Sequence, residues 1–173
     1  MLPENATARQ GPKVRILVYD TPLQEQDEVA LEIEHWVHEG ADPSSVGVLV
    51  DNEQCRRAFH DAVNALELKS EDIYKKRDGE GRLHKSIDIF DPSVKVLTSG
   101  SAKGLAFPIL YSPHVTHDTF GVNVDDAIKT DRRRRLLYTA MLRAGHTLVL
   151  TTVRGQESPL VSKLDQSAVE SVG

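Results

Sequence analysis

Short apolar runs alternate with longer stretches of helical periodicity along most of this chain. Runs rich in β-branched residues predict buried strands at Val14–Tyr19, Val46–Val50, Val94–Thr98, 108–112 and 146–153. Between these runs, apolar residues at helical spacing predict helices over about 24–39, 52–66 and 131–144. Strands alternating with helices favour a mainly parallel sheet with helices on both faces, so we expect a three-layer α/β fold.

The domain boundaries follow from where this pattern stops. Residues 1–12 show no periodicity and are expected to form a flexible lead-in, and 159–173 a flexible tail, which leaves one domain over 13–158. Within it, 67–92 is the least regular part. Its Asp-Gly-Glu-Gly sequence at 78–81 is a turn signal, so this part is predicted to form a hairpin or a loop at the sheet edge.

Composition narrows the class of protein. At 173 residues, 39% hydrophobic and 27% charged, the chain is large enough to bury a core. It has neither an apolar run long enough to cross a bilayer nor an apolar leader, so we expect a cytoplasmic protein without a membrane partner. The single cysteine excludes an internal disulfide framework. A net charge of −5 argues against an autonomous nucleic-acid binder, although a local basic stripe is compatible with it.

A loop of small residues lies between the third and fourth predicted strands. It offers the hydroxyls of Thr98 and Ser101, the Lys103 ammonium and backbone N–H groups around Gly100 and Gly104, which together could hold a phosphate. On composition alone, an ordinary surface connection is the simpler interpretation.

Two ordered motifs connect the chain to a known family. The stretch 98–108 reads Thr-Ser-Gly-Ser-Ala-Lys-Gly-Leu-Ala-Phe-Pro and resembles motif V of UvrD/Rep-type superfamily 1 DNA helicases. The stretch 134–144 reads Arg-Arg-Leu-Leu-Tyr-Thr-Ala-Met-Leu-Arg-Ala and resembles motif VI of the same family. The resemblance implies the second, C-terminal RecA-like domain of such an enzyme, a fold of the P-loop NTPase type. No phosphate-cradling P-loop motif occurs in this chain, so that domain would lie upstream.

The resemblance also implies a division of roles among the site residues. Arg143 takes the place of the catalytic motif VI arginine, which reaches the γ-phosphate of ATP, and Lys103 and Gly104 lie near the nucleotide. ATP and Mg²⁺ would be bound mainly by the upstream P-loop domain, and no metal ligands are predicted in this chain. Single-stranded DNA would be contacted through the remaining candidates, Thr98, Ser101 and Arg132.

The basic helix supports two interpretations. Its apolar positions should face the sheet, and Arg132, Arg135, Thr139 and Arg143 share one stripe beside them. A charge run of this kind is ordinarily a solvated helix face. Only the family resemblance gives Arg143 a role in catalysis.

Departures from the family leave an alternative open. Ala106 replaces the motif V glutamate that would bind the ribose, and Asp51 stands where motif IV has an arginine, so that it would repel a triphosphate. These changes favour a degenerate helicase-like module, acting as a protein or nucleic-acid binding scaffold without hydrolysis. An unrelated α/β domain with coincidental motifs is the third hypothesis.

Overall fold

A computed structural model describes the backbone of residues 14–72, 75–77, 83–85, 88, 91–98, 101–102, 104–116, 127–161 and 169–172. The predicted lead-in, 1–12, lies outside these residues. The described helices are α1 (Pro22–His38), α2 (Glu53–Ala65) and α3 (Ala127–Arg143). The strands are β1 (Val14–Tyr19), β2 (Val46–Val50), β3 (Ser70–Asp72), β4 (Lys75–Arg77), β5 (Leu83–Lys85), β6 (Val94–Thr98), β7 (Phe107–Ser112), β8 (Ala144–Val153) and β9 (Val169–Val172).

Seven of these strands form one sheet in the order β3-β6-β2-β7-β8-β1-β9. Every neighbouring pair in the sheet is parallel. Parallel neighbours need connections that cross the sheet from one edge to the other, and α1, α2 and α3 lie in such connections. The five predicted strands are confirmed, and the three predicted helices are confirmed within a few residues at their ends.

The sheet is buried on both faces by two separate hydrophobic cores. Alternate residues of β2 show the division: Val48 joins the core under α1 and α2, whereas Leu49 joins the core under α3. Val29 and Ile33 of α1 are fully buried in the first core, and Leu137 and Ala140 of α3 are buried in the second. The predicted three-layer α/β fold is therefore confirmed.

Local signals explain where two of the helices begin. Thr21 caps α1 by accepting a hydrogen bond from Gln24 N at 3.1 Å, and Pro22 occupies the first turn, where its missing N–H costs nothing. Asn52 caps α2 by accepting from Cys55 N at 3.0 Å. Each cap follows a strand within a few residues, so the chain turns directly from sheet to helix.

A close approach between β2 and β7 depends on one glycine. A Cβ atom on Gly47 would lie 2.6 Å from Cδ2 of Phe107 and 3.0 Å from a methyl carbon of Leu110. The Phe107 ring thus occupies the space that a side chain on Gly47 would need. Phe107 itself precedes an irregularity in the pairing of β7 with β8, so it packs under α3 while Ile109 packs on the opposite face.

The chain after Val153 contributes to the fold, which differs from the predicted flexible tail. Leu160 is buried in the core under α3, and Val169–Val172 pair with β1 as the edge strand β9. This contribution was missed because β9 is short and carries a weak apolar pattern. The turn signal at 78–81 lies outside the described residues, and the flanking strands β4 and β5 pair antiparallel, as the predicted hairpin requires.

Candidate functional site

The turn after β6 brings two of the predicted site residues together. Thr98 ends the strand opposite Val50, and its carbonyl accepts hydrogen bonds from Ser101 N at 2.8 Å and from Ala102 N at 3.1 Å. The Thr98 hydroxyl donates to Ser101 Oγ at 3.1 Å, and both residues are half-buried. A hydroxyl can donate one bond and accept others, so Ser101, which accepts from Thr98, still has its own proton to donate.

The chain then crosses the α3 face of the sheet from one edge to the other. Ala102 is buried under α3, and Leu105 N donates to its carbonyl at 3.0 Å. Gly104 has φ +88°, a left-handed conformation that favours glycine, although a Cβ there would meet no atom within 4 Å. Backbone conformation therefore requires the glycine. Lys103 lies outside the described residues.

Arg143 stands at the amino edge of the sheet, where the crossing ends. It is the last residue of α3, and Ala144 immediately begins β8 and pairs with Phe107. Exposed Ala106 precedes Phe107, so the backbones of Ala106 and Arg143 enter neighbouring strands side by side. The structure therefore brings together the ends of the two motif-like stretches.

The guanidinium of Arg143 is incompletely satisfied. The residue is half-buried, and its Nε is buried with no hydrogen-bond partner within the described part of the chain. A buried N–H without an acceptor costs about 1–3 kcal/mol, so native structures usually pair such a group. An arginine with an unused donor at an edge is a candidate for contact with an anion.

Asp51 lies far from Arg143. It is exposed and follows β2 at the carboxyl edge, where Thr98 also lies. At about 3.3 Å per residue, the strands separate this edge from the amino edge by roughly 15–20 Å. Asp51 and Arg143 therefore lie at opposite ends of the strands, and the expected repulsion between Asp51 and a triphosphate stays a prediction.

The outer face of α3 differs from a simple basic stripe. Arg134 and Arg135 are exposed, and the Thr139 hydroxyl donates to Arg135 O at 2.7 Å, within the helix. Tyr138 and Leu142, one turn apart, are each 62% exposed. Arg132 lies in the described helix, but its side chain lies outside the described part of the structure. The helix thus presents an apolar pair among its arginines.

A buried polar cluster at the carboxyl edge was missed by the sequence analysis. Glu25 in the first turn of α1 is fully buried and accepts a hydrogen bond from His114 N at 2.8 Å. It also forms close hydrogen bonds with His114 Nδ1 and with the hydroxyl of Thr151. The hydrogen bond to Glu25 raises the pKa of His114 above its ordinary value of 6.5. One sequence signal was available, because Glu25 lies on the same helical stripe as buried Val29 and Ile33.

A second buried polar group, Lys95 of β6, lies nearer the amino edge. Its Nζ donates to Asp91 O at 2.9 Å and to Ser93 Oγ at 2.8 Å, and the residue is fully buried. These bonds lie within one segment of the chain, so Lys95 stabilises the entry into β6.

Within the described ranges, no group of three or more His, Cys, Asp or Glu residues is placed to hold a metal ion. None of the described helices is both long and apolar enough to cross a membrane.

Comparisons with known proteins identify the fold of the chain. No family model matches the chain, and no curated protein matches it. Among solved structures, the chain is similar to the C-terminal domain of a possible DNA helicase from Lactobacillus plantarum WCFS1, with a TM-score of 0.67. The two are 24% identical, over 95% of this chain and 88% of that one. The fold is RecA-like. The edges described above are thus the edges of a RecA-like sheet, with Thr98 and Arg143 at opposite ends of its strands.

Proposed function

We propose that this chain is the C-terminal motor domain of an ATP-dependent, UvrD-like DNA helicase. In this role it supplies Arg143 to ATP held by an upstream P-loop domain, and it contributes Thr98 and Ser101 to the track for single-stranded DNA. Two features support the proposal besides the motif resemblance. The fold is shared with the domain of a possible DNA helicase, and Arg143 lies at the opposite edge of the sheet from Thr98 and Ser101.

The main observation in support of the proposal is the unsatisfied Nε of Arg143. Its Nε is buried without an acceptor in the described residues, at the junction where α3 passes directly into β8. Two regular elements therefore fix the position of its backbone. A planar, permanently charged group of this kind is suited to contact the oxygens of a phosphoryl group held by another domain.

The residues present fit one wall of a nucleotide site. Arg143 supplies a cation and Gly104 supplies a turn with open space beside it, whereas the chain has no P-loop. Mg²⁺-ATP, when bound, supplies the phosphoryl group that is transferred to water. The residues of this chain would stabilise negative charge on that group and exclude water when the partner domain closes.

The apolar pair on α3 is a second reason to expect a partner domain. Tyr138 and Leu142 expose most of their surface one helical turn apart, on the helix that ends in Arg143. Exposed apolar neighbours on a helix are typical of a contact surface. Docking of the P-loop domain here would bury them and bring the nucleotide towards Arg143.

The alternative function is a helicase-like scaffold that does not use ATP. Ala106 favours it, because this exposed residue lies beside the Arg143 junction and lacks the carboxylate that the family uses for the ribose. Asp51, the other departure that favours it, lies at the carboxyl edge of the sheet and does not adjoin Arg143. The two functions differ in whether Arg143 affects ATP hydrolysis.

The decisive experiment measures DNA-stimulated ATP hydrolysis in the two-domain protein. Arg143→Ala should reduce the rate by about 10³- to 10⁵-fold, the usual effect of losing an arginine that contacts the transferred group. Arg143→Lys should recover little, because an ammonium lacks the planar two-donor fork. Arg134→Ala is the matched control, an exposed arginine on the same helix, and should change the rate little.

Two results would contradict the proposal. Near-normal hydrolysis by Arg143→Ala would give α3 a structural role and favour the scaffold. Substantial ATP turnover by the purified 173-residue chain alone, proportional to its concentration, would also contradict it, because the phosphate loop is expected in another domain.

A further inference from the structure

Within the described residues, the large hydrophobic side chains that are exposed lie on two helices. They are Leu23 and Leu31 of α1, 66% and 46% exposed, and Tyr138 and Leu142 of α3, each 62% exposed. α1 packs on one face of the sheet and α3 on the other, because their buried residues belong to the two separate cores. The protein therefore presents apolar side chains to solvent on both of its outer faces.

On each helix the exposed apolar residues share a ridge with an exposed charged residue. The members of each ridge follow at intervals of four residues: Leu23, Asp27 and Leu31 on α1, and Arg134, Tyr138 and Leu142 on α3. Side chains four residues apart are neighbours on a helix surface. Ridges of this spacing on two helices can interdigitate, with the helix axes crossing at about 50°. We call them the acidic ridge, on α1, and the basic ridge, on α3.

The two helices carry opposite charges. α1 contains five Asp or Glu residues and no Lys or Arg, whereas α3 contains six Lys or Arg residues and one Asp. An exposed neighbour extends the charge of each ridge, Glu28 beside Asp27 and Arg135 beside Arg134. Contact between two acidic ridges or two basic ridges would bring like charges together, whereas contact between unlike ridges brings opposite charges together. Charge complementarity therefore favours the basic ridge of one molecule against the acidic ridge of another.

We propose that copies of this chain associate head to tail, with the basic ridge of one molecule packed against the acidic ridge of the next. Because the two ridges lie on opposite faces of the sheet, the first and last molecules of such an assembly each keep one ridge unoccupied. A contact of this heterologous kind propagates unless its rotation closes a ring.

This inference goes beyond the proposed function, because the contact needs neither ATP nor Arg143. The basic ridge includes Tyr138 and Leu142, on which a P-loop domain would dock, so a P-loop domain and a second copy of the chain would compete for it. The contact is therefore tested with the 173-residue chain alone. Failure of that test leaves the ATP hydrolysis experiment on Arg143 unaffected.

Sedimentation velocity at increasing protein concentration measures the association. One pair of helices covers less surface than a standard protein interface of about 1,600 Å², so we expect a weak and reversible contact. The net charge of −5 adds a general repulsion between copies, which salt screens. Salt also weakens the contact between the ridges, so all variants are compared at one ionic strength.

Two double variants each alter one ridge. Arg134→Gln/Leu142→Gln alters the basic ridge, and Asp27→Asn/Leu31→Gln alters the acidic ridge. All four residues are exposed, and none of the substitutions introduces a strong helix breaker, so both variants should unfold in urea as the wild type does. Lys69→Gln is the matched control, because it removes an exposed cation that lies outside both helices.

We expect each ridge variant to associate about 10- to 100-fold more weakly than wild type, the combined effect of one exposed ion pair and one leucine contact. The basic-ridge variant changes the net charge from −5 to −6, and the acidic-ridge variant from −5 to −4. General repulsion would therefore shift their association in opposite directions, whereas the proposed contact weakens in both. Lys69→Gln should associate as wild type does.

An equimolar mixture of the two ridge variants gives the sharpest result. Each variant supplies the ridge that the other lacks, so the mixture should form one-to-one pairs at concentrations where either variant alone is monomeric. The pairs should not grow further, because their outer ridges are the altered ones.

Several results would overturn the inference. A wild-type chain that stays monomeric at all concentrations would do so. Weaker association in only one of the two ridge variants would indicate a ridge that pairs with itself. An equal loss in Lys69→Gln would show that net charge, rather than the ridges, determines association. A mixture that sediments as the separate variants do would exclude the contact between unlike ridges.

Discussion

The substitution His114→Ala removes a charge-assisted hydrogen bond to the fully buried carboxylate of Glu25. Glu25 is fully buried, and its described donors are His114 N, His114 Nδ1 and the Thr151 hydroxyl. In His114→Ala the backbone N–H and the Thr151 hydroxyl remain. Alanine keeps a Cβ, so the strain at φ +58° is nearly unchanged, and the lost free energy reports the imidazole contact.

The size of the expected loss in folding free energy follows from the burial of Glu25 and His114. Breaking a buried ion pair by removing one partner costs about 3–5 kcal/mol, and 22% of the His114 side chain is exposed, so we expect about 3 kcal/mol. Thr151→Val is the comparison. It removes one hydroxyl donor at nearly constant volume, and we expect a loss of about 1.5–3 kcal/mol, typical of a bond to a charged group.

The pH dependence separates these two variants. The folded-state pKa of His114 is raised, so its contribution is fully present below the ordinary value of 6.5 and is lost as pH rises through the folded value. The stability difference between wild type and His114→Ala should therefore be larger at about pH 6 than at about pH 9. For Thr151→Val the difference should be similar at both.

Urea unfolding followed by tryptophan fluorescence measures both differences. Trp36 is the single tryptophan, and its indole N–H donates to the Tyr111 hydroxyl at 3.0 Å, across the core of the α1 face. A stability difference for His114→Ala that is constant with pH, or that grows as pH rises, would refute this reasoning. Equal stability of wild type and variant would refute it too.

Two further predictions concern packing and capping. Gly47→Ala should destabilise the protein by about 1–3 kcal/mol, because the new Cβ would overlap the Phe107 ring; Gly145→Ala, whose nearest contacts are at 3.4 Å, should cost less in the same urea titration. Asn52→Ala should cost about 1 kcal/mol, because Cys55 N loses its cap; retention of full stability would show that water replaces the cap at no cost.

The sequence by itself determined the elements and the layers. Val46–Val50 was predicted with the bounds that the structure has, because a strand buried on both faces is a short, continuous apolar run. The buried face of α3 was predicted in the same way, since Leu137 and Ala140 follow the helical period. Signals of this kind lie within a few residues of one another along the chain.

Only the tertiary structure decided which distant residues meet. Glu25 contacts His114 and Thr151 across 89 and 126 residues of chain, and strand order, which local periodicity does not encode, creates that contact. Strand direction likewise sets Asp51, after the carboxyl end of β2, at the opposite edge of the sheet from Arg143, before the amino end of β8. Periodicity reports which face of an element is buried, whereas the partners on that face depend on how the crossovers arrange the strands.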